Sequence, residues 1–154
     1  MPKETGGQTA QGPKMVSISE DYLTFLHDQL AENQFKLREV FGDSSADALF
    51  CWSADKLVLT VEGNNYSFDP LEGVLQKIRG WGMKISRKDD GEVSQLEVKC
   101  PYAETVHPRL STDHPKCPLG EYILGAVRLR ESKSVMLSND LTGDGVRFRI
   151  GKSE

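Results

Sequence analysis

Cysteine is scarce, with three in 154 residues. A small odd number excludes a disulfide-stapled secreted scaffold and points to a reducing, cytoplasmic setting. Long apolar runs are missing too. None approaches the roughly 20 residues of a membrane span, so no membrane partner is expected. The opening stretch, Met1 to Lys14, holds Gly, Gln, Thr and Pro but no apolar centre, which is not the pattern of a secretory signal. Nor is there a basic surplus. Lys and Arg number 19 against 23 Asp and Glu, a net charge of −4. A general nucleic-acid coat needs the opposite sign, so nucleic acid starts as the less favoured partner.

What is present fits one soluble domain. Hydrophobic residues make up 38% and charged residues 27%, outside the disordered range. The charge is uneven: residues 1–76 sum to −7, residues 77–117 to +2 and residues 118–154 to +1. A weak basic bias of that kind usually marks a solvated face.

Residues 1–15 read as a flexible tail before a single domain over 16–154. Ser17 and Glu20 fit a capping box. Apolar residues then recur at helical spacing from Tyr22 through Leu26 and Leu30 to Phe41, with Gly42 as the stop. This predicts one long helix over 18–41, whose stripe covers its own domain or pairs with a second copy in a homodimer. Asp43-Ser44-Ser45 caps a short second helix ending near Trp52. Leu57 to Val61 reads as a strand, with Tyr66 to Phe68 returning as a hairpin. Asp69-Pro70 opens a helix that Gly80 ends. Met83–Arg87 and Val93–Val98 are strands joined by Asp89-Asp90-Gly91. Leu119 to Leu129 is helical, and Val135–Leu137 and Val146–Ile150 close the chain as strands. The expected fold is α+β: a long N-terminal helix, then β-α-β-β-α-β-β order, giving a mainly antiparallel sheet with helices on one face. Its core would be Leu57, Leu59, Val61, Ile85, Leu96, Val98, Val135, Leu137, Phe148 and Ile150, backed by Leu75, Ile78, Ile123 and Val127.

The irregular segment 100–118 holds two of the three cysteines, two of the three histidines and four of the seven prolines. Cys100, His107, His114 and Cys117 are each followed directly by proline. Proline pushes the residue before it into extended conformation and denies the chain a helix. The four side chains are therefore expected on a stiff loop that loses little entropy when an ion gathers them. Two thiolates and two imidazoles form a tetrahedral set suited to zinc. The competing reading makes Cys100 a small buried hydrophobe and both histidines polar loop residues. Cys51, between Phe50 and Trp52, reads as a core cysteine, with a place as fourth ligand or redox partner as the alternatives. His27 reads as a surface residue.

Cys100-Pro101-Tyr102-Ala103-Glu104, then Cys117-Pro118-Leu119-Gly120-Glu121-Tyr122-Ile123-Leu124-Gly125-Ala126, then the ending Gly145-x-x-Phe148-x-Ile150 resemble the C-terminal part of 4-vinyl reductase domains. The resemblance covers residues 96–151 or so. It implies an α+β module that binds small apolar molecules or metal centres and serves as a sensor or accessory factor. Related iron–sulfur repressors carry four cysteines in a similar block, which makes Cys100 and Cys117 the first two metal-linked positions. No further cysteine follows Cys117, and Val146 stands where one is expected. His107 and His114 in that role favour zinc over an iron–sulfur cluster.

Three functions follow from these residues. The first is a metal-containing sensor or accessory domain with a small apolar ligand, for which Tyr66, Phe68, Trp81, Tyr102 and Tyr122 are candidate lining. The second is an enzyme, with a zinc centre or with Cys100, His107 and Asp113 as nucleophile, base and orienter. The third is a nucleic-acid-binding regulator using Arg128, Arg130, Arg147 and Arg149, diluted by Glu131, Asp140 and Asp144.

Overall fold

A computed structural model describes residues 19–62, 69–110 and 116–154, with side chains at 19–57, 69–110 and 116–154. The fold is α+β. Helices α1 (Glu20–Phe41), α2 (Asp43–Glu62) and α3 (Pro70–Gly80) come first. Strands β1 (Lys84–Asp90) and β2 (Val93–Lys99) follow. A short helix α4 (Ala103–Val106) runs into a 3₁₀ turn at His107–Arg109, and α5 (Leu119–Arg128) leads to β3 (Ser134–Leu141) and β4 (Gly145–Lys152). The four strands form one antiparallel sheet in the order β1-β2-β4-β3.

Strand alternation decides which face is covered. Leu96 and Val98 of β2, and Val146, Phe148 and Ile150 of β4, are buried on one side. Arg147 and Arg149 point to the other and are exposed. Against the buried side lie α3, through Leu71, Val74, Leu75 and Ile78, and α5, through Leu119, Ile123 and Ala126. The start of α3 follows from its first residues. The Asp69 side chain accepts the Leu71 N–H at 2.9 Å, and Pro70 has no N–H to leave unpaired.

Several expectations need correction. The α1 cap is Ser19, which accepts the Tyr22 N–H at 3.2 Å; Ser17 and the 1–15 tail lie outside the described residues. Leu57–Val61 is helix, not the first strand. Nothing between Trp52 and Leu57 breaks the helix begun at Asp43, and continuing it sets Ala54 and Leu57 one turn apart on the core. Tertiary burial overrides the β-branched composition there. The Tyr66–Phe68 hairpin lies outside the described residues, as do the side chains of Leu59 and Val61. Leu137 is half exposed instead of buried. A β-bulge between Met136 and Ser138 shifts the phase, so Met136 reaches the core and Leu137 leans over Gly151. Segment 100–118 is less irregular than expected. No proline falls within 102–107, and that gap admits α4.

α1 inverts the usual pattern of a surface helix. Its buried residues are Thr24 and Gln34, while Tyr22, Phe25, Leu26, Val40 and Phe41 are exposed. Its apolar stripe is divided, since Leu23, Leu30 and Leu37 are half-buried against the domain. Among the described residues, no helix is long and apolar enough to cross a membrane.

Candidate functional site

Cys100 follows the end of β2, where its N–H donates to the Asp144 carbonyl at 2.9 Å. Pro101 then turns the chain, the Ala103 N–H donates to the Cys100 carbonyl at 3.2 Å, and the Tyr102 and Ala103 amides act to lower the thiol's pKa. Cys117 repeats the arrangement. Pro118 turns the chain into α5, the Gly120 N–H donates to the Cys117 carbonyl at 3.1 Å, and the Leu119 and Gly120 amides act to lower the thiol's pKa. Amides two and three residues past a cysteine are the donors that favour a thiolate. Burial works against them. It raises the Cys100 thiol above the usual range and pushes Cys117 up to about 12, with the nearby Cys100 adding to the shift. Both sulfurs are therefore protonated at neutral pH unless a cation offsets the burial. The two-sulfur pair suits a metal in the chemistry of its donors.

The backbone of Cys117 is held from two directions. Asn139 on β3 accepts its N–H at 3.1 Å and donates to its carbonyl at 3.0 Å. Gln34 on α1 donates to the next carbonyl, that of Pro118, at 3.0 Å. Gly120 leaves room for this clasp, since a Cβ there would stand 2.6 Å from Asn139 Nδ2 and 3.1 Å from Phe148.

His107 sits on the 3₁₀ turn with Nδ1 3.0 Å from the Thr142 carbonyl. A carbonyl only accepts, so Nδ1 carries the proton and Nε2 keeps the free lone pair, the form in which histidine binds metals. Among the described residues, no group of three or more His, Cys, Asp or Glu is gathered. The structure thus brings Cys100 and Cys117 together and leaves His107 outside such a group. His114, like Asp113, lies outside the described residues. Cys51 is half-buried on α2, where its thiol is raised by burial and then influenced by Arg128 and Asp47. His27 is half-buried rather than a free surface residue. Its pKa is lowered, first by burial and then by His107.

Beside Cys117 lies an open cavity of about 480 Å³. α1 forms one wall with Ala31, Gln34, Phe35 and Arg38, and α5 another with Gly120, Glu121, Leu124 and Arg128. β3 supplies Met136 to Asn139, and Asp43 and Asp47 come from the start of α2. The guanidinium groups on these walls are occupied. Arg38 Nε and Nη2 reach the two Glu121 oxygens at 3.0 and 2.5 Å, and Arg38 Nη1 lies 2.9 Å from Asp47. Arg128 pairs with the other Asp47 oxygen and donates to the Ser134 carbonyl at 2.7 Å. The apolar surface includes Phe35, Leu124, Met136 and Leu137, and Ser138 Oγ has no hydrogen-bond partner among the described residues.

Among the described residues, none of the aromatic candidates lines this cavity. Tyr66 and Phe68 lie outside the described residues. Tyr122 packs edge-on against Phe50 at 6.4 Å, and Trp81 and Tyr102 sit at the surface. The arginines considered for nucleic acid are largely drawn into ion pairs: Arg147 with Glu97 at 3.0 Å, Arg130 with Asp69 at 3.4 Å, and Arg128 as above. Sequence reasoning missed Phe35, Arg38, Glu121 and Asn139. The one available signal was the unusual pair of polar residues, Gln34 and Arg38, four apart within an apolar stripe.

No family model matches this chain, and no curated protein matches it in sequence. Among solved structures it is similar to the phenol-responsive sensory domain of the transcription activator PoxR, crystallised with phenol. The identity is 16%, the match covers 90% of this chain and 76% of that one, and the TM-score is 0.40.

Proposed function

We propose that this chain is a small-molecule-binding sensor or accessory domain, in which a zinc-linked cysteine pair supports one wall of the ligand cavity. The observation that carries this is the double position of Cys117: it lines the cavity, and it lies in the core against which Cys100 packs, near enough for Cys100 to raise its thiol. Zinc held by Cys100 and Cys117, with His107 and His114 completing the set, would neutralise two buried thiolates and fix the start of α5. Only two sulfurs are paired, and Cys51 senses Arg128 and Asp47 instead, which favours zinc over an iron–sulfur cluster. Arg38 and Arg128 are engaged by Glu121 and Asp47, so the free surface of the cavity suits a compact amphipathic molecule.

Protein purified without a histidine tag should carry about one zinc per chain, as expected for a closed structural site. Cys117→Ser should lose it, since no spare thiolate adjoins Cys100. Fragments found by ligand-observed NMR should stop binding in Leu124→Trp, which fills the cavity. A chain that neither holds nor takes up zinc removes the metal from this reading. Fragment binding indifferent to Leu124→Trp removes the cavity.

The outward row of α1 supports a second reading, pairing with a second copy across Phe25 and Phe41. Sedimentation decides it: the expected result is a dimer that Phe25→Glu converts to monomer, and an unaltered chain that sediments as monomer sinks the idea.

A further inference from the structure

α1 is joined to the rest of the chain in an unusual way. None of the buried hydrophobic residues comes from it, and no α1 residue belongs to the apolar core. Leu23, Leu30, Ala31 and Leu37 are half-buried along it, and the specific bonds that fasten it are polar. Gln34 donates to the Pro118 carbonyl, and Arg38 grips Glu121 with two bonds and meets Asp43 and Asp47. At the far end, Arg109 meets Asp21 at 2.8 Å, but Asp21 is almost fully exposed, so that pair adds little. Along the seam the Thr24 hydroxyl is buried without a hydrogen-bond partner. The junction to α2 is Gly42 alone, at φ 79°, where an added Cβ would meet nothing within 4 Å. Glycine in open space absorbs a change of backbone angle more readily than any other residue.

These features meet at the cavity, because α1 supplies its wall from Ala31 to Arg38. We infer that α1 is a latched cover over the cavity, hinged at Gly42 and fastened by Arg38 on Glu121 and by Gln34 on the Pro118 carbonyl. This rests on the cavity being a ligand site and names how access to it is regulated. A body held by apolar burial separates only as the core unfolds, whereas a body held by a few charged hydrogen bonds can lift while the core stays closed. Gln34 gives the latch a link to the site: it grips the carbonyl next to Cys117, so a shift of the α5 start is felt directly by the cover. A ligand bridging Phe35 and Leu124 would hold the cover down.

Hydrogen exchange of the full chain, without added ligand, tests this. Once lifted, a helix without tertiary support frays, so its amides report the opening. Glu121→Gln, which weakens the charged grip, should speed exchange across residues 20–41 by about tenfold, and leave α3, α5, β2 and β4 unchanged. Gln34→Ala should do the same from the second fastening. Both chains are compared in the same oligomeric state. Uniform acceleration through the sheet in both variants, or no acceleration in α1 in either, overturns the latch. The measurement needs no ligand, so the cavity reading can fail by the fragment test while the moving cover stands, and the reverse.

Discussion

Gly145→Ala is expected to lower stability by about 3 kcal/mol or more, the upper range for an overpacked interior position. The reason is backbone against backbone. A Cβ on Gly145 would stand 2.8 Å from the Val98 carbonyl carbon, closer still to its oxygen, and 3.0 Å from the Lys99 Cα. None of these atoms is the movable end of a side chain, so β2 and β4 must part where Lys99 faces Gly145. The next bond along, from the Cys100 N–H to Asp144, goes with it. If Cys100 holds zinc as proposed, the variant should lose metal as well as stability. Gly143→Ala is the control. It lies two residues away with nothing within 4 Å of an added Cβ, and should stay within about 0.5 kcal/mol of the unaltered chain. Urea unfolding of both reads the difference as a change of midpoint at constant slope. Equal midpoints would show that the strands do not approach this closely.

Asn139→Ala should cost about 2–4 kcal/mol, because one side chain serves two backbone groups of Cys117. Removing it leaves the Cys117 N–H unpaired and its carbonyl with the Gly120 N–H, at 3.1 Å, as its remaining donor. Asn139→Asp is the sharper variant. It keeps the acceptor for the N–H but sets a carboxylate oxygen against the Cys117 carbonyl, so the loss should be similar or larger. If zinc is bound as proposed, both should release it at lower chelator concentration than the unaltered chain. A loss below about 0.5 kcal/mol, the range of ordinary surface changes, would mean that water replaces the clasp without penalty.

Much of the fold was legible in the sequence, and the reason lies in local rules. Asp69-Pro70 fixes the start of α3 whatever surrounds it. Gly91, at φ 60°, and Glu92 turn β1 into β2 next to the expected place, while Asp89 and Asp90 extend β1 and pair with Ser94 and Val93. The alternation Val146, Phe148, Ile150 against Arg147 and Arg149 gives the two faces of β4. Leu57–Val61 misleads because its alternation is compatible with either element, and the burial of Ala54 and Leu57 decides between them. The cysteine pair was visible through its repeated Cys-Pro step. The cavity was not, since its walls come from helices and a strand about a hundred residues apart. Asn139 gives no local sign that it will close on Cys117. The bulge that redirects Leu137 is equally silent until β3 meets β4.

The strand order has a kinetic meaning. β1 and β2 are neighbours in sequence, as are β3 and β4, so each pair can close through a short turn. Their union is different: Leu96 must find Phe148, and contacts between remote positions form slowly because the intervening chain must first be drawn in. The sulfur pair straddles that union. Cys100 lies at the end of the first hairpin, and Cys117 is grasped by Asn139 of the second. A metal that needs both can be captured only after the halves have joined. Occupancy would then certify a finished molecule, and a chain stalled during synthesis before β3 and β4 emerge would remain without it.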